Sequence, residues 1–182
     1  MTSHPLRRLV SLLALGLALA QPAAAQMPEY QAKAEFLERF TRFIEWPPDG
    51  GMADTSAPFV TCVLGRDPFG AHLDSLAQTR RIKGKPVRVR RLQALADVAG
   101  CHLLFVAGSE APSIERVVAR TNGTPVLTVG DTRGFGEAGL LINFFAEGER
   151  IAFEVNEPAV HRSGLQFSSR LMSLARVLGA SR

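Results

Sequence analysis

Three short runs of apolar and β-branched residues recur in the middle of the chain, and a glycine follows each directly. They are Phe59–Leu64, Cys101–Ala107 and Pro125–Val129. Uninterrupted apolar runs of this length are typical of strands buried on both faces, as in a parallel sheet. Because parallel strands are joined by crossover connections that usually contain a helix, these runs predict an α/β fold.

Helical patterns surround these runs. Tyr30–Trp46 has the apolar spacing of an amphipathic helix, which Pro47–Gly50 should end. Four later segments also indicate helices, and Ser109 and Asn156 are the predicted N-caps of two of them. The apolar residues of these four helices are Leu73 and Leu76; Ile114, Val117 and Val118; Ala159 and Val160; and Leu171, Leu174, Ala175 and Leu178.

Two further strand signals complete the fold prediction. Pro86–Arg91 alternates valine with arginine, as a half-exposed strand should. Leu140–Phe145 and Arg150–Val155 flank a short turn and predict an antiparallel hairpin. We therefore predict a single α/β domain with a mixed, mostly parallel sheet flanked by helices, and an antiparallel hairpin toward the C-terminal end.

The N-terminus has the pattern of an export signal. Arg7 and Arg8 precede the apolar run Leu9–Ala20, and Ala23–Ala25 fits a cleavage site before Gln26. The apolar run has twelve residues, whereas a membrane-spanning helix needs about 20. We predict a cleaved signal peptide over 1–25, a mature domain over 26–182, and a periplasmic location.

Composition excludes a general affinity for nucleic acid. The chain has 21 Lys and Arg against 17 Asp and Glu, and cleavage removes two arginines and no acid, so the mature net charge is +2. Such a small excess does not favour a nucleic-acid partner.

Catalytic motifs are missing from the sequence. Gly65–Gly70 lacks the lysine and the glycine spacing of a phosphate-binding loop, and Ser109 lacks the residues of a nucleophile elbow. The mature histidines, His72, His102 and His161, are isolated in the sequence. We therefore predict no catalytic, cofactor-binding or metal-binding residues.

One segment is strongly cationic and contains no acid. Its alternation favours an edge strand protected by outward-facing positive charges. The alternative is a surface for an anion, a lipid headgroup or an acidic partner, where the charges would speed association. Its cations are Arg80, Arg81, Lys83, Lys85, Arg88, Arg90 and Arg91.

The two cysteines, Cys62 and Cys101, lie on two predicted strands. An oxidising compartment and an even cysteine count favour a disulfide between them, and two buried free thiols are the alternative.

Motifs along essentially the whole mature chain resemble the YfiR family of periplasmic regulators. The similarity lies in the order and spacing of several segments, together with Trp46–Pro47 and Phe135. The segments are Ala34–Phe40, Cys62–Gly65, Gly84–Arg90, Cys101–Phe105, Pro125–Val129, Ile151–Asn156 and Gly164–Ser169.

This resemblance implies a non-enzymatic regulator that binds the periplasmic domain of an inner-membrane diguanylate cyclase and lowers cyclic-di-GMP signalling. It also implies sequestration by an outer-membrane OmpA-like lipoprotein, and a homodimer is a further state to consider. Two alternatives are a periplasmic small-ligand sensor coupled to another membrane receptor or sensor kinase, and a hydrolase, which the missing motifs oppose. We expect the contact surface to be an apolar patch with a polar rim.

The resemblance also carries over to single residues. Cys62 and Cys101 match the disulfide shared by the family, whereas a second pair that some members have near 137–150 has no counterpart here. Trp46, Glu154 and Asn156 match motif positions, and helix termination, strand packing and capping account for them without a site.

We predict that the exported protein begins at Gln26, because the apolar run is too short to remain as an anchor. N-terminal sequencing of the protein recovered from the periplasm checks this. A membrane-retained form that still begins at Met1 would contradict it.

Overall fold

The computed structural model describes residues 26–48, 50–54 and 56–179, so the predicted signal peptide lies outside the described residues. The helices are α1 (Gln26–Thr41), α2 (Ala71–Thr79), α3 (Ile114–Thr121), α4 (Phe135–Ala138), α5 (Glu157–Ser163) and α6 (Ser169–Leu174), with 3-10 helices at Leu95–Val98 and Gly108–Ser113. The strands are β1 (Ile44–Glu45), β2 (Phe59–Leu64), β3 (Arg81–Ile82), β4 (Lys85–Leu92), β5 (Leu103–Val106), β6 (Leu127–Gly130), β7 (Ile142–Glu147), β8 (Arg150–Asn156), β9 (Gln166–Phe167) and β10 (Arg176–Leu178).

Eight strands form one sheet in the order β10-β8-β7-β6-β5-β2-β4-β3. The five strands from β7 to β4 run parallel to one another. At one end β8 pairs antiparallel with β7 and parallel with β10, and at the other end β3 pairs antiparallel with β4. This confirms the predicted single α/β domain with a mixed, mostly parallel sheet and a β7–β8 hairpin.

The first face of the sheet is covered by α1 and α2. Phe40 of α1 is 2% exposed and packs against Phe144 of β7 and Phe153 of β8, with ring centroids 5.5 and 4.9 Å apart. Phe69, just before α2, packs edge-to-face on Phe105 of β5. Aromatic contacts of this kind each contribute about 0.5–1.5 kcal/mol beyond the area they bury.

The second face of the sheet is covered by α3, α4 and the segment between β4 and β5. Its core contains Leu64, Leu104 and Val117. Cys62 and Cys101 lie in the same cluster and form a disulfide, with their Cα atoms 5.9 Å apart. The predicted pairing is therefore present, and it connects β2 to the residues that precede the neighbouring strand β5.

Two predicted helices end earlier than the sequence suggested. The first ends at Thr41 instead of Trp46, because Ile44 and Glu45 pair antiparallel with residues of β9. The last ends at Leu174, because Arg176–Leu178 forms β10 beside β8. Leu174 is consequently 68% exposed and does not belong to a buried stripe.

The predicted cap at Ser109 is wrong. Ser109 lies inside the 3-10 helix Gly108–Ser113 that precedes α3, and its Oγ accepts a hydrogen bond from the Arg66 amide at 2.9 Å. The predicted cap at Asn156 is confirmed, because its Oδ1 accepts from the Ala159 amide at 2.9 Å.

Replacing both Cys62 and Cys101 with serine should lower the free energy of unfolding by about 4 kcal/mol, since the bridge spans 39 residues of chain. Urea unfolding of the oxidised wild type and the double variant measures the difference. Equal stability of the two proteins would contradict a structural role for the disulfide.

Candidate functional site

In an open α/β sheet, ligands bind at the carboxyl ends of the two strands where the strand order reverses. In this sheet those strands are β2 and β5, because β4 lies on one side of β2 and the later strands β5, β6 and β7 lie on the other. Gly65 and Ser109 lie too close together for a side chain on residue 65, because a Cβ there would overlap the Ser109 Oγ and lie 2.9 Å from the Glu110 Cγ. The hydroxyl of Ser109, an exposed residue, accepts from the Arg66 amide. The two loops at this end of the sheet are therefore in close contact.

Clusters of metal-ligating side chains were sought throughout the described ranges 26–48, 50–54 and 56–179. No group of three or more His, Cys, Asp or Glu residues with suitable spacing occurs in them.

A cavity of about 420 Å³ lies between the start of α1, the residue after β6 and the β7–β8 hairpin. Lys33 lies on its wall and is 5% exposed. Its Nζ is 2.7 Å from the Asp131 Oδ2 and 2.6 Å from the Glu29 Oε1. Because two carboxylates already surround this ammonium, Lys33 offers an anion no uncompensated positive charge.

Tyr30 completes this buried polar group. The Lys33 Nζ lies 4.5 Å from the centre of the Tyr30 ring. Burial raises the pKa of Tyr30, and the negative charge and hydrogen bonding of Asp131 raise it further, so the phenol stays protonated at neutral pH. Lys33, Asp131 and Tyr30 therefore form one ion-paired and hydrogen-bonded group beside the cavity.

A second buried polar group links the last strands. The Asn143 Nδ2 donates to the Glu154 Oε1 at 3.0 Å, and Arg176 of β10 pairs with the other Glu154 oxygen. The Arg176 guanidinium also lies 3.9 Å from the centre of the Phe145 ring. Glu154 therefore anchors β10 to the sheet, which agrees with the packing role predicted for it.

Two cations of the predicted basic segment pair with carboxylates of the same protein at its surface. Arg91 pairs with Asp67 at 2.7 Å and with Asp74 at 2.8 Å, and Lys83 pairs with Glu45 at 2.6 Å. These three carboxylates reduce the positive potential that the sequence alone suggests.

Lys85 departs from the prediction that it belongs to an exposed basic surface. It is 1% exposed, and its Nζ donates to the backbone carbonyls of Asp54 and Ala57. Lys85 is buried because alternate residues of a strand share a face, so Lys85 points to the same side as Val87 and Val89. Its ammonium holds the loop before β2.

The remaining arginines stay on the surface. Arg80 is 4.0 Å from Glu35. The hydrogen bonds of Arg81 and Arg90 go to backbone carbonyls, and Arg88 is exposed without an ion pair among the described residues. Binding of a partner by this surface stays a prediction.

His102 sits at the opposite, amino-terminal edge of the parallel strands. Its Nδ1 accepts a hydrogen bond from the Val60 amide at 2.9 Å, and its ring stacks on Phe59. Burial lowers the pKa of His102; hydrogen bonding with the Gly51 backbone partly opposes this, and the charge of Lys85 lowers it further. Folding therefore favours the neutral form of His102, and the ring fastens the same loop as Lys85.

Within the described residues, none of the helices is long and apolar enough to span a bilayer. Leu174 is the one large hydrophobic residue of this part of the chain that is strongly exposed.

Comparison with protein families decides the relationship. The profile of the YfiR/HmsC-like family matches residues 30–176, which includes both cysteines and the β7–β8 hairpin. The chain belongs to the YfiR/HmsC-like family. A search of curated proteins found no match.

Solved structures show similarity of fold alone. A conserved domain protein from Vibrio cholerae O1 biovar El Tor is 10% identical over 81% of this chain, with a TM-score of 0.51. The ABC domain from Streptococcus pneumonia, solved in complex with L-Trp, is 8% identical over 81% of the chain, with a TM-score of 0.51. This chain covers 59% and 61% of those two chains.

The free energy of unfolding should fall as the pH drops below about 6.5, because His102 binds a proton more readily in the unfolded state than in the folded state. His102→Gln should flatten this dependence. Urea unfolding between about pH 5 and pH 7.5 measures it. His161, which is exposed, provides the control variant His161→Gln, and an equal flattening in both variants would contradict the assignment.

Proposed function

We propose that this protein is a non-enzymatic periplasmic regulator that binds the periplasmic domain of an inner-membrane diguanylate cyclase and lowers cyclic-di-GMP production. Membership of the YfiR/HmsC-like family over residues 30–176 carries the proposal. The disulfide between Cys62 and Cys101 supports an oxidising compartment.

The regulation must act through a conformational equilibrium of the cyclase, because an exported protein cannot touch a cytoplasmic catalytic domain. The regulator lowers activity only if it binds the inactive state more tightly than the active state. A tenfold preference contributes about 1.4 kcal/mol toward the inactive state, and equal affinity contributes nothing. An OmpA-like lipoprotein that captures the regulator would restore activity by lowering its free concentration.

A small-ligand sensor is the second candidate function. The cavity of about 420 Å³ beside Lys33 and Asp131 supports it, because a cavity of this volume with a few polar groups is typical of small-molecule sites. A ligand there would act on a receptor or sensor kinase by changing the contacts of α1 or the β7–β8 hairpin.

Deletion of the gene should raise cellular cyclic-di-GMP, and expression of the exported protein should restore the lower concentration. The matched control is residues 26–182 expressed without the export signal, which stay in the cytoplasm and should not restore it. The mature protein should also capture a membrane diguanylate cyclase from detergent extracts. Unchanged nucleotide concentration and no captured cyclase would contradict the proposal and favour the sensor.

A further inference from the structure

Strand β4 has one paired edge and one edge that is largely open. On one side its residues 87–92 pair with β2 along their whole length. On the other side β3 pairs only with Lys85 and Pro86. Residues 87–92 therefore have no second strand beside them among the described residues.

The hairpin turn shows which backbone groups face the open side. Ile82 and Lys85 are paired across the two-residue turn in which Lys83 and Gly84 have φ of +52° and +79°. In a turn of this kind the flanking residues exchange backbone hydrogen bonds, so the Lys85 backbone faces β3. Since the direction alternates along a strand, the N–H and C=O groups of residues 87, 89 and 91 also face away from β2.

An independent contact agrees with this assignment. The Gly65 amide donates to the Leu92 carbonyl at 3.4 Å. The Leu92 carbonyl therefore faces β2, as do the backbone groups of residues 88 and 90. Both observations, from opposite ends of β4, place the backbone groups of residues 87, 89 and 91 on the side away from β2.

On one face of the sheet, three cationic side chains lie beside the open edge. Arg88 and Arg90 lie on β4, and Arg81 lies on β3. None of the three pairs with a carboxylate among the described residues: Arg81 and Arg90 donate to backbone carbonyls, and Arg88 is exposed. Such a charge row opposes antiparallel pairing with a second copy, because arginines would face arginines.

We propose that the open edge of β4 docks an acidic, extended segment of a partner protein by strand addition. The backbone groups of residues 87, 89 and 91 supply the hydrogen bonds, and Arg88 with Arg90 selects acidic side chains on the incoming strand. The identity of the partner rests on the proposed function. The open edge adds the surface through which the regulator would hold the cyclase domain.

Backbone amide exchange tests strand addition directly. The probe is a synthetic nine-residue peptide in which glutamate alternates with valine or threonine, added at millimolar concentration to ¹⁵N-labelled mature protein. Exchange should slow at least about fivefold at Val87, Val89 and Arg91. The amides of Arg88, Arg90 and Leu92 already face β2 and should change little, so they serve as the internal control.

The charge requirement has its own controls. A peptide with lysine in place of glutamate should give no protection. Arg88→Glu should weaken binding of the acidic peptide about tenfold, and Arg88→Lys should keep most of the affinity. The matched control is Arg116→Glu, which makes the same charge change at an exposed position of α3 and should have no effect.

A second variant removes a backbone donor. Val89→Pro deletes an N–H that faces the open edge, where proline is tolerated in sheets. It should weaken the acidic peptide at least about fivefold. Thermal unfolding shows whether this variant folds, and the Arg88 variants keep the proposal testable if it does not.

Three results would overturn the proposal. They are no protection of residues 87, 89 and 91 by the acidic peptide, equal protection by the lysine peptide, and protection without peptide that grows with protein concentration, which would place a second copy on the edge. The same exchange measurement with a captured cyclase domain separates the two proposals. Binding without protection would contradict strand addition alone, whereas protection by peptide without any cyclase partner would contradict the proposed function alone.

Discussion

Burial of both faces of the parallel strands is the constraint on which this structure depends. Leu103 and Leu104 are neighbours on β5 that point to opposite faces, and both are fully buried. Two layers must therefore cover the sheet, and the crossover connections supply them. On one face, Phe40 of the covering layer packs against aromatic side chains of the sheet. On the other face, the disulfide between Cys62 and Cys101 links the covering segment to β2.

The described polar groups near the centre of the sheet are engaged within the protein. The loops that carry Gly65 and Ser109 are in close contact, and Glu154 holds β10. Two features at the periphery are a cavity beside Lys33 and an open strand edge on β4. Both suit recognition by shape and charge, which is the chemistry that a regulatory protein needs.

The sequence predicted those parts of the fold whose signal is local. Phe59–Leu64 is an uninterrupted apolar run, and the structure places β2 over the same residues. Strand β1 has two residues and gains its partner, β9, from more than 100 positions away, so no local pattern reveals it. The ion pair of Lys33 and Asp131 spans 98 residues and was missed for the same reason. The burial of Lys85 could have been predicted, because Lys85 lies on the same face of the strand as Val87 and Val89.

The central claim is that the protein inhibits a cyclase from the periplasmic side of the membrane. The most direct measurement reconstitutes the full-length cyclase in nanodiscs, adds the purified mature protein, and follows cyclic-di-GMP formation from GTP. The rate should fall to a plateau as the protein is added, and it should not fall for a cyclase that lacks its periplasmic domain. An unchanged rate at concentrations where the two proteins are bound would contradict the account.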